Sequence, residues 1–191
     1  TLGPQGGFWR KNYKGIYRAN LFLEKIDGID AASAAFKTRA KAEVHFLRAK
    51  FYFDLVRSFG RVPLIKSTLE PSEYYSVVQA DPSETYAFVV EELELAIADL
   101  PTSVPGNEIG RATKGAAQAL LARVYLMMDD DQYMDEVAAL CEEVINSGEY
   151  SLVADYNELF TLAGEWSSES VFEITYSENS TSDWGRWGSG H

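Results

Sequence analysis

Hydrophobic side chains recur along most of the chain at steps of three and four residues, the spacing of one face of an α-helix. In residues 8–27 this apolar stripe includes Trp9 and Ile16 and is interrupted by Asn20. The pattern predicts a first helix over this segment. A wider stripe over residues 32–59 predicts a second helix that contacts neighbours on two sides.

Start and stop signals predict three further helices. The sequence Asp-Pro-Ser-Glu at 81–84 combines an N-cap, a proline at the first helical position and a capping-box glutamate. It predicts a helix over residues 82–100. Thr113 is a suitable N-cap for a helix over residues 114–128, and a turn of three acidic residues then leads into a helix over residues 132–147.

The last two of these helices have the size of a known repeat unit. Gly115 to Gly148 is 34 residues, the length of one tetratricopeptide (TPR) unit, in which two antiparallel helices stack on the next pair. Beyond them, residues 155–160 predict a short helix and residues 170–176 a β-strand, whereas residues 177–191 have no core-forming pattern. We therefore predict a mainly α fold, a TPR-like helical scaffold with a small strand and loop region near the C-terminal end.

Composition narrows the class of protein. The chain has 191 residues, of which 46% are hydrophobic and 24% charged, the balance of a globular domain. No run of 18 or more apolar residues occurs, so the sequence predicts no transmembrane helix. The first seven residues lack the basic flank and apolar core of a signal peptide. We therefore expect that the chain begins after a segment that has been removed or left out.

Charge is distributed unevenly along the chain. Residues 1–66 carry 13 Lys and Arg against 5 Asp and Glu, whereas residues 67–191 carry 4 against 24. A basic segment can bind nucleic acid, but the acidic remainder repels the same polyanion. We predict no nucleic-acid partner and expect the two blocks to complement each other within the scaffold or against parts outside the chain.

Motifs of enzymes and metal sites are missing from the sequence. His45 and His191 have no cysteine or second histidine at ligand spacing, and neither a phosphate-binding loop nor a nucleophile elbow occurs. The sequence therefore predicts no metal, no cofactor and no catalytic residue. Because the acidic residues of the predicted third helix, Glu92 among them, are expected on solvated faces, a helical glycosidase remains only a minor alternative.

Two arginines invite comparison with anion-binding clamps. Arg48 and Arg111 each lie beside a helix end or a packed stripe. There an arginine fork can satisfy backbone carbonyls or an acid of the next helix. We predict a structural role for both.

Tryptophans are the strongest candidates for ligand contact. Trp184 and Trp187 lie in residues 182–189, which offer no apolar stripe in which to bury an indole. Two interpretations stay open: the indoles stack on sugar rings, or they pack against a part of the protein outside this chain. Trp9, at the head of the first helix, is either a core residue or a ligand contact.

Four segments, in order, resemble the SusD/RagB family of outer-membrane nutrient-binding lipoproteins of Bacteroidetes. Residues 42–64 are similar to its pattern A-E-x-x-F-L-R-A-x-x-Y-F-x-L-V-x-x-F-G-x-V-P-L. Residues 110–126 are similar to G-R-A-T-x-x-A-A-x-A-L-L-A-R-V-Y-L. Residues 146–160 match x-S-G-x-Y-x-L followed by Y and L-F, and residues 169–174 match E-x-I-F-E-I.

The resemblance implies both an architecture and a site. It implies a TPR-containing helical domain over residues 1–176, with residues 177–191 a loop that leads into a C-terminal part outside the chain, which is then a fragment of a longer fold. Trp9 and Asn12 occupy the place where starch-binding relatives contact sugar through an aromatic ring and an amide.

The function that the resemblance implies is cell-surface binding of an oligosaccharide or polysaccharide and its delivery to a TonB-dependent, SusC-like outer-membrane transporter. The protein is then no enzyme, and it is held at the outer membrane by a lipid anchor that we expect to lie outside this chain. The candidate ligand-binding residues are Trp184, Trp187, Trp9 and Asn12. A peptide-capturing RagB-like lipoprotein and a TPR-type protein-interaction scaffold remain the alternatives.

Overall fold

The computed structural model of the chain describes residues 4–128 and 130–174. Five α-helices account for most of them: α1 (Pro4–Lys25), α2 (Ala34–Phe59), α3 (Pro82–Asp99), α4 (Lys114–Met128) and α5 (Met134–Asn146). Single 3-10 turns follow α1, precede α4 and α5, and form most of residues 156–164. The predicted mainly α fold is confirmed.

Helix α1 begins at Pro4 and ends at Lys25, earlier at both ends than the predicted residues 8–27, whereas the other main start and stop signals act where they were predicted. At the start of α3 the Asp81 carboxylate accepts a hydrogen bond from Ser83 N, while Glu84 accepts one from Asp81 N at 2.9 Å, which completes the capping box. Thr113 Oγ1 accepts a hydrogen bond from Ala116 N and so caps α4. Gly60 ends α2 with a φ of 69°, a backbone conformation that disfavours other residues.

The helices pack in chain order, α1 on α2, α2 on α3, α3 on α4 and α4 on α5. Paired contacts show that α1 and α2 are antiparallel, because Trp9 lies against Phe59 while Asn20 accepts a hydrogen bond from Arg48. As the TPR interpretation predicts, α4 and α5 are antiparallel as well: Gln118 donates to Glu143, while Tyr125 stacks on Tyr133 just before α5. The core centres on α2, whose largest fully buried side chains are Phe46, Tyr52, Phe53 and Leu55. Because α2 has neighbours on both sides, most of its wide apolar face is buried, although Leu47 stays 39% exposed.

The β-strand predicted over residues 170–176 is not present in its described part, Ser170–Ile174. A strand needs a neighbouring strand to complete its backbone hydrogen bonds, and the described residues contain no sheet. The segment is held by a side chain instead, since the Phe172 ring lies edge-on to Phe46 with centroids 5.0 Å apart. Thr175 and Tyr176 lie outside the described residues.

The apolar stripe of α5 is less buried than its sequence suggests. Val137 and Val144 are half-buried, but Cys141 is exposed and Ile145 is 72% exposed. The helix packs mainly on α4, which can cover one side of it only. Within the described ranges no helix is both long and apolar enough to cross a membrane.

Candidate functional site

An open groove of about 820 Å³ runs along the exposed side of α1. We call it the α1 groove. Its wall forms because helical residues four apart share one face, as Trp9, Tyr13 and Tyr17 do. Phe59, at the end of α2, closes one side. The complete lining consists of Gln5, Gly6, Trp9, Arg10, Tyr13, Lys14, Tyr17 and Phe59.

The aromatic rings of this groove hold each other in place. The Trp9 ring lies 4.9 Å from the Tyr13 ring and 5.0 Å from the Phe59 ring, the latter at an interplanar angle of 82°. Edge-to-face contacts of this kind favour a fixed arrangement of the rings. Trp9 is therefore both a packing residue and part of an open surface.

Tyr13 is fixed at its hydroxyl as well. The hydroxyl donates a hydrogen bond to the Pro63 carbonyl at 2.7 Å, and burial, reinforced by the neighbouring Tyr52, raises the pKa of Tyr13. The phenol therefore stays protonated and keeps this bond. The loop after α2 is thereby tied to the middle of the α1 groove.

Polar donors border the aromatic wall. Arg10 and Lys14 lie one position after Trp9 and Tyr13 on α1, and Gln5 lies one turn before Trp9. These side chains carry hydrogen-bond donors, and the glutamine also carries an acceptor. A flat apolar wall with donors at its border can hold a ligand that has both an apolar face and hydroxyl groups.

The structure separates the two residues that the sequence placed together at the start of α1. Trp9 lines the α1 groove, whereas Asn12 is only 6% exposed and does not line it. Asn12 Nδ2 donates a hydrogen bond to the Phe8 carbonyl at 2.9 Å within the same helix. Trp184 and Trp187 lie outside the described residues.

Arg48 has the structural role that the sequence predicts. Its Nε and Nη2 atoms donate to the two carboxylate oxygens of Glu92 at 2.6 and 2.7 Å, and Nη1 donates to Asn20 Oδ1 at 2.8 Å. Asn20 in turn donates to the carbonyls of Ile65 and Ser67, both at 3.0 Å. Asn20, the polar residue that interrupts the apolar stripe of α1, is therefore part of a buried hydrogen-bond network that links α1, α2 and the loop after α2.

The expectation that Glu92 lies on a solvated helix face is wrong. Glu92 is 2% exposed, and His45 Nδ1 lies 3.0 Å from its carboxylate. Burial raises the pKa of Glu92, but the hydrogen bonds from His45 and Arg48 outweigh it, so the net pKa is below the ordinary value. A charged carboxylate with two partners is stable here because its charge is compensated.

Arg111 is a structural residue too. Its Nη1 donates to Glu43 at 2.6 Å, and Glu43 also pairs with Arg39, which reaches Glu108. This chain of ion pairs joins α2 to the loop before α4. Among the described residues no group of three or more His, Cys, Asp or Glu side chains is placed to hold a metal ion.

Of the residues that line the α1 groove only Trp9 was predicted as a site residue, and the three aromatic residues beside it, Tyr13, Tyr17 and Phe59, were not. The step of four between Trp9, Tyr13 and Tyr17 is a signal that was present in the sequence. Phe59 gave no such signal, because its approach to α1 depends on how α2 packs.

Comparison with known families gives one clear match. The SusD-like family model described as "Starch-binding associating with outer membrane" matches residues 3–126. Among curated proteins, the SusD-like protein P25 of Formosa agariphila is 29% identical over 171 residues, which cover 90% of this chain and 32% of that protein. The starch-binding protein SusD of Bacteroides thetaiotaomicron is 31% identical over 170 residues, 83% of this chain and 28% of that protein.

Solved structures agree in fold. A laminarin-binding SusD-like protein is 39% identical, with a TM-score of 0.87 over 95% of this chain and 40% of that chain. The surface glycan-binding protein A of Bacteroides thetaiotaomicron, in complex with laminarihexaose, is 29% identical, with a TM-score of 0.82 over 93% of this chain and 37% of that chain. The chain therefore spans about a third of the length of these relatives.

Proposed function

We propose that this chain, which belongs to the SusD-like family of starch-binding proteins associated with the outer membrane, binds a glycan and leaves it chemically unchanged. The observation that carries the proposal is the α1 groove, in which three aromatic rings of α1 and Phe59 form an open wall bordered by polar donors. A sugar ring presents a face of C–H groups that packs on such a wall.

Trp9 is the central stacking residue of this proposal. Its contacts with Tyr13 and Phe59 hold the indole in place in the absence of ligand. Little side-chain conformational entropy is therefore lost when a ligand binds. Arg10 and Gln5 then donate hydrogen bonds to hydroxyl groups at the border. Trp184 and Trp187 remain additional candidates for stacking, and Asn12 supports the helix beneath Trp9.

A glucan is the ligand class that the relatives favour. Two structural neighbours are named for laminarin or its hexasaccharide, and one curated relative is named for starch. Both polymers consist of glucose. We therefore propose laminarin-type and starch-type oligosaccharides as the first ligands to test.

The proposal extends to the longer protein to which this sequence corresponds. That protein is a surface-exposed lipoprotein of the outer membrane, and it passes its glycan to a SusC-like TonB-dependent transporter. The family description supports the association with the outer membrane. The transporter and the lipid anchor follow from the resemblance described above and are open to test by co-purification from a native membrane.

Calorimetric titration of the full 191-residue chain with laminarihexaose and with maltohexaose tests the binding proposal. We expect measurable binding of at least one, weakened by about tenfold in Tyr17→Ala, the value for loss of about 1.4 kcal/mol. Tyr17 is 55% exposed, so its loss removes a wall of the groove without opening the core. Phe36→Ala, which removes an exposed ring from the first turn of α2, is the matched control.

Trp9→Ala, Trp184→Ala and Trp187→Ala complete the series, with Trp9→Phe as the variant that keeps a ring in the packed position. Equal affinity of the unchanged chain, Tyr17→Ala and Trp9→Ala would place the ligand elsewhere. Binding of peptides with no glycan binding would favour the peptide-capture alternative. Release of shorter saccharides on prolonged incubation would show that the protein is an enzyme.

A further inference from the structure

The border of the α1 groove is basic. Arg10 and Lys14 both line the groove, and none of the described residues that line it is an aspartate or a glutamate. Helix α1 as a whole carries five lysine and arginine residues against one acidic residue, Glu24. All five basic side chains are exposed. The open side of α1 is therefore a positively charged surface beside an aromatic wall.

Glu24 does not neutralise this border. It lies about 15 Å beyond Lys14 along the helix axis, whereas the screening length in water is about 10 Å at 0.1 M salt. Its two carboxylate oxygens accept hydrogen bonds from the backbone N and the Oγ1 of Thr68, both at 2.7 Å. Glu24 is thus engaged with the loop after α2.

The acid of α2 closest in the chain to Phe59 is also engaged. Asp54 pairs with Lys50 at 2.7 Å and with Arg57 at 3.6 Å. Its charge is therefore compensated within α2. The positive charge at the border of the α1 groove is offset by neither of these two acids.

The two charge blocks of the sequence complement each other only in part. Three cations of residues 1–66 pair with acids of residues 67–191: Arg39 with Glu108, Arg48 with Glu92 and Arg61 with Asp81. Arg10, by contrast, makes no ion pair with any residue that the structure describes. Its exposed guanidinium lines the groove and is available to a ligand.

A guanidinium binds an acid group more strongly than it binds a hydroxyl group. It can donate two parallel hydrogen bonds to a carboxylate or a sulfate, and hydrogen bonds to charged groups are about twice as strong as those between neutral groups. Arg10 follows Trp9 directly in α1, and both line the same groove. A sugar ring stacked on the indole can therefore present the substituents at its rim to the guanidinium.

Nucleic acid, another class of polyanion, fits this surface less well. The basic face of α1 is local in a chain whose formal net charge is -12, and no lysine or arginine occurs between Lys66 and Arg111. A long polyanion would also lie across acidic surface and be repelled by it. A short acidic oligosaccharide needs contact with the groove only.

From these charges and contacts we infer that the α1 groove binds glycans that carry acid groups, uronate carboxylates or sulfate esters, more tightly than neutral glycans of the same backbone. Arg10 binds the acid group, and Lys14 adds positive charge at the border. This inference rests on the proposed function and refines its ligand class, because the stacking wall is the same and only the substituents of the sugar differ.

Calorimetric titration of the full chain with three matched hexasaccharides tests the inference. They are laminarihexaose, its derivative oxidised to the carboxylate at C6, and its derivative sulfated at the same carbon. We expect at least one acidic derivative to bind about tenfold more tightly than laminarihexaose at low salt. Because salt screens charge, this advantage should shrink between about 0.05 and about 0.5 M NaCl. The tighter of the two derivatives shows whether a carboxylate or a sulfate is the group recognised.

Three variants locate the preference. Arg10→Gln keeps hydrogen-bond donors but removes the charge, and it should weaken binding of the preferred acidic derivative by about tenfold and that of laminarihexaose by less than about twofold. Arg10→Lys keeps the charge but not the two parallel donors and should lose about two- to fivefold. Arg123→Gln removes the same charge from an exposed position of α4 outside the groove lining and should change neither affinity.

The outcomes separate this inference from the proposed function. Equal or weaker binding of both acidic derivatives, or an equal loss for neutral and acidic ligands in Arg10→Gln, overturns this inference alone. A loss in Arg123→Gln as large as that in Arg10→Gln does the same, because net charge and not the groove would then set the preference. Failure of the unchanged chain to bind laminarihexaose, maltohexaose or either acidic derivative overturns the proposed function and this inference together.

Discussion

The side chain of Arg48 joins four parts of the chain. It pairs with Glu92 of α3 and with Asn20 of α1, and its Nη1 reaches the Lys66 carbonyl in the loop after α2 at 3.2 Å. In the described residues no buried side-chain nitrogen or oxygen atom lacks a hydrogen-bond partner. The cluster is therefore fully satisfied, the condition under which buried charge is tolerated.

Removal of one partner from this cluster should be costly. We expect Arg48→Ala to lower the free energy of unfolding by about 3 to 5 kcal/mol, because Glu92 is left buried without its main counter-charge. Urea unfolding measures the change. Arg123→Ala, which removes an exposed arginine of α4, should change it by less than about 0.5 kcal/mol. A decrease below 1 kcal/mol for Arg48→Ala would show that the ion pair between Arg48 and Glu92 does not stabilise the fold.

The same cluster should make stability depend on pH. Since hydrogen bonds from His45 and Arg48 hold the pKa of Glu92 below its ordinary value, its contribution is fully present above the unfolded-state pKa of about 4.3. It is lost as the pH falls from there through the folded-state pKa.

Glu92→Gln isolates this effect from other acids that titrate in the same range. We expect the difference in unfolding free energy between the unchanged chain and Glu92→Gln to be largest near pH 6 and to shrink as the pH falls below 4. Urea unfolding at several pH values gives the difference. A difference that stays constant from pH 6 to pH 3 would exclude a lowered pKa.

At the scale of elements, close approach between α4 and the segment after α5 depends on a glycine. A Cβ at Gly115 would lie 2.6 Å from Tyr150 Cε2 and 2.7 Å from its hydroxyl. That hydroxyl lies 2.8 Å from Thr113 Oγ1, the N-cap of α4. The hydrogen bond between Thr113 and Tyr150 thus links the start of α4 to the segment after α5. The Tyr150 ring can take this position because residue 115 has no side chain.

Two glycine-to-alanine substitutions should therefore act in opposite directions. Gly115→Ala should destabilise the protein by about 1 to 3 kcal/mol, because the tyrosine ring must move and leave Thr113. Gly7→Ala in α1 meets no atom within 4 Å and should stabilise by up to about 1 kcal/mol through helix propensity. Thermal unfolding compares the two variants. Equal changes in stability would mean that the Tyr150 ring can move away from residue 115 without destabilising the protein.

At the scale of the whole molecule, burial is concentrated in α2 and decreases towards the C-terminal part. Tyr52 and Leu55 are fully buried, whereas α5 contains no fully buried residue, and Leu152 and Leu162 are more than 80% exposed. Local opening requires less energy where few apolar contacts are broken. The helical stack should therefore open from its C-terminal end.

Native-state hydrogen exchange should detect this gradient. We expect the amides of Tyr52 to Leu55 to exchange at least about a hundredfold more slowly than those of Val144 to Asn146, which can open locally without disturbing α2. Mass spectrometry or NMR measures both sets in one experiment. Equal protection of the two segments would show that the described part unfolds as one cooperative unit.

Helix ends and helix faces followed from the sequence because they depend on near neighbours. The capping box at Asp81, the cap at Thr113 and the glycine stop at Gly60 each act within about one turn. The prediction of a strand over residues 170–176 failed in its described part for the opposite reason. A strand forms through a partner elsewhere in the chain, and β-propensity does not supply one.

The sequence by itself determined the order of the helices, the limits set by caps and glycine stops, and the family, because periodicity, caps and motif spacing are local properties of the chain. Only the tertiary structure decided which polar groups are inside and which rings lie in an open groove. Glu92 was expected on a solvated face and is buried, and Asn12, which stays a predicted ligand residue, is 6% exposed and donates to the Phe8 carbonyl within α1. Burial depends on what distant segments bring to a residue, and spacing along one helix does not contain that information.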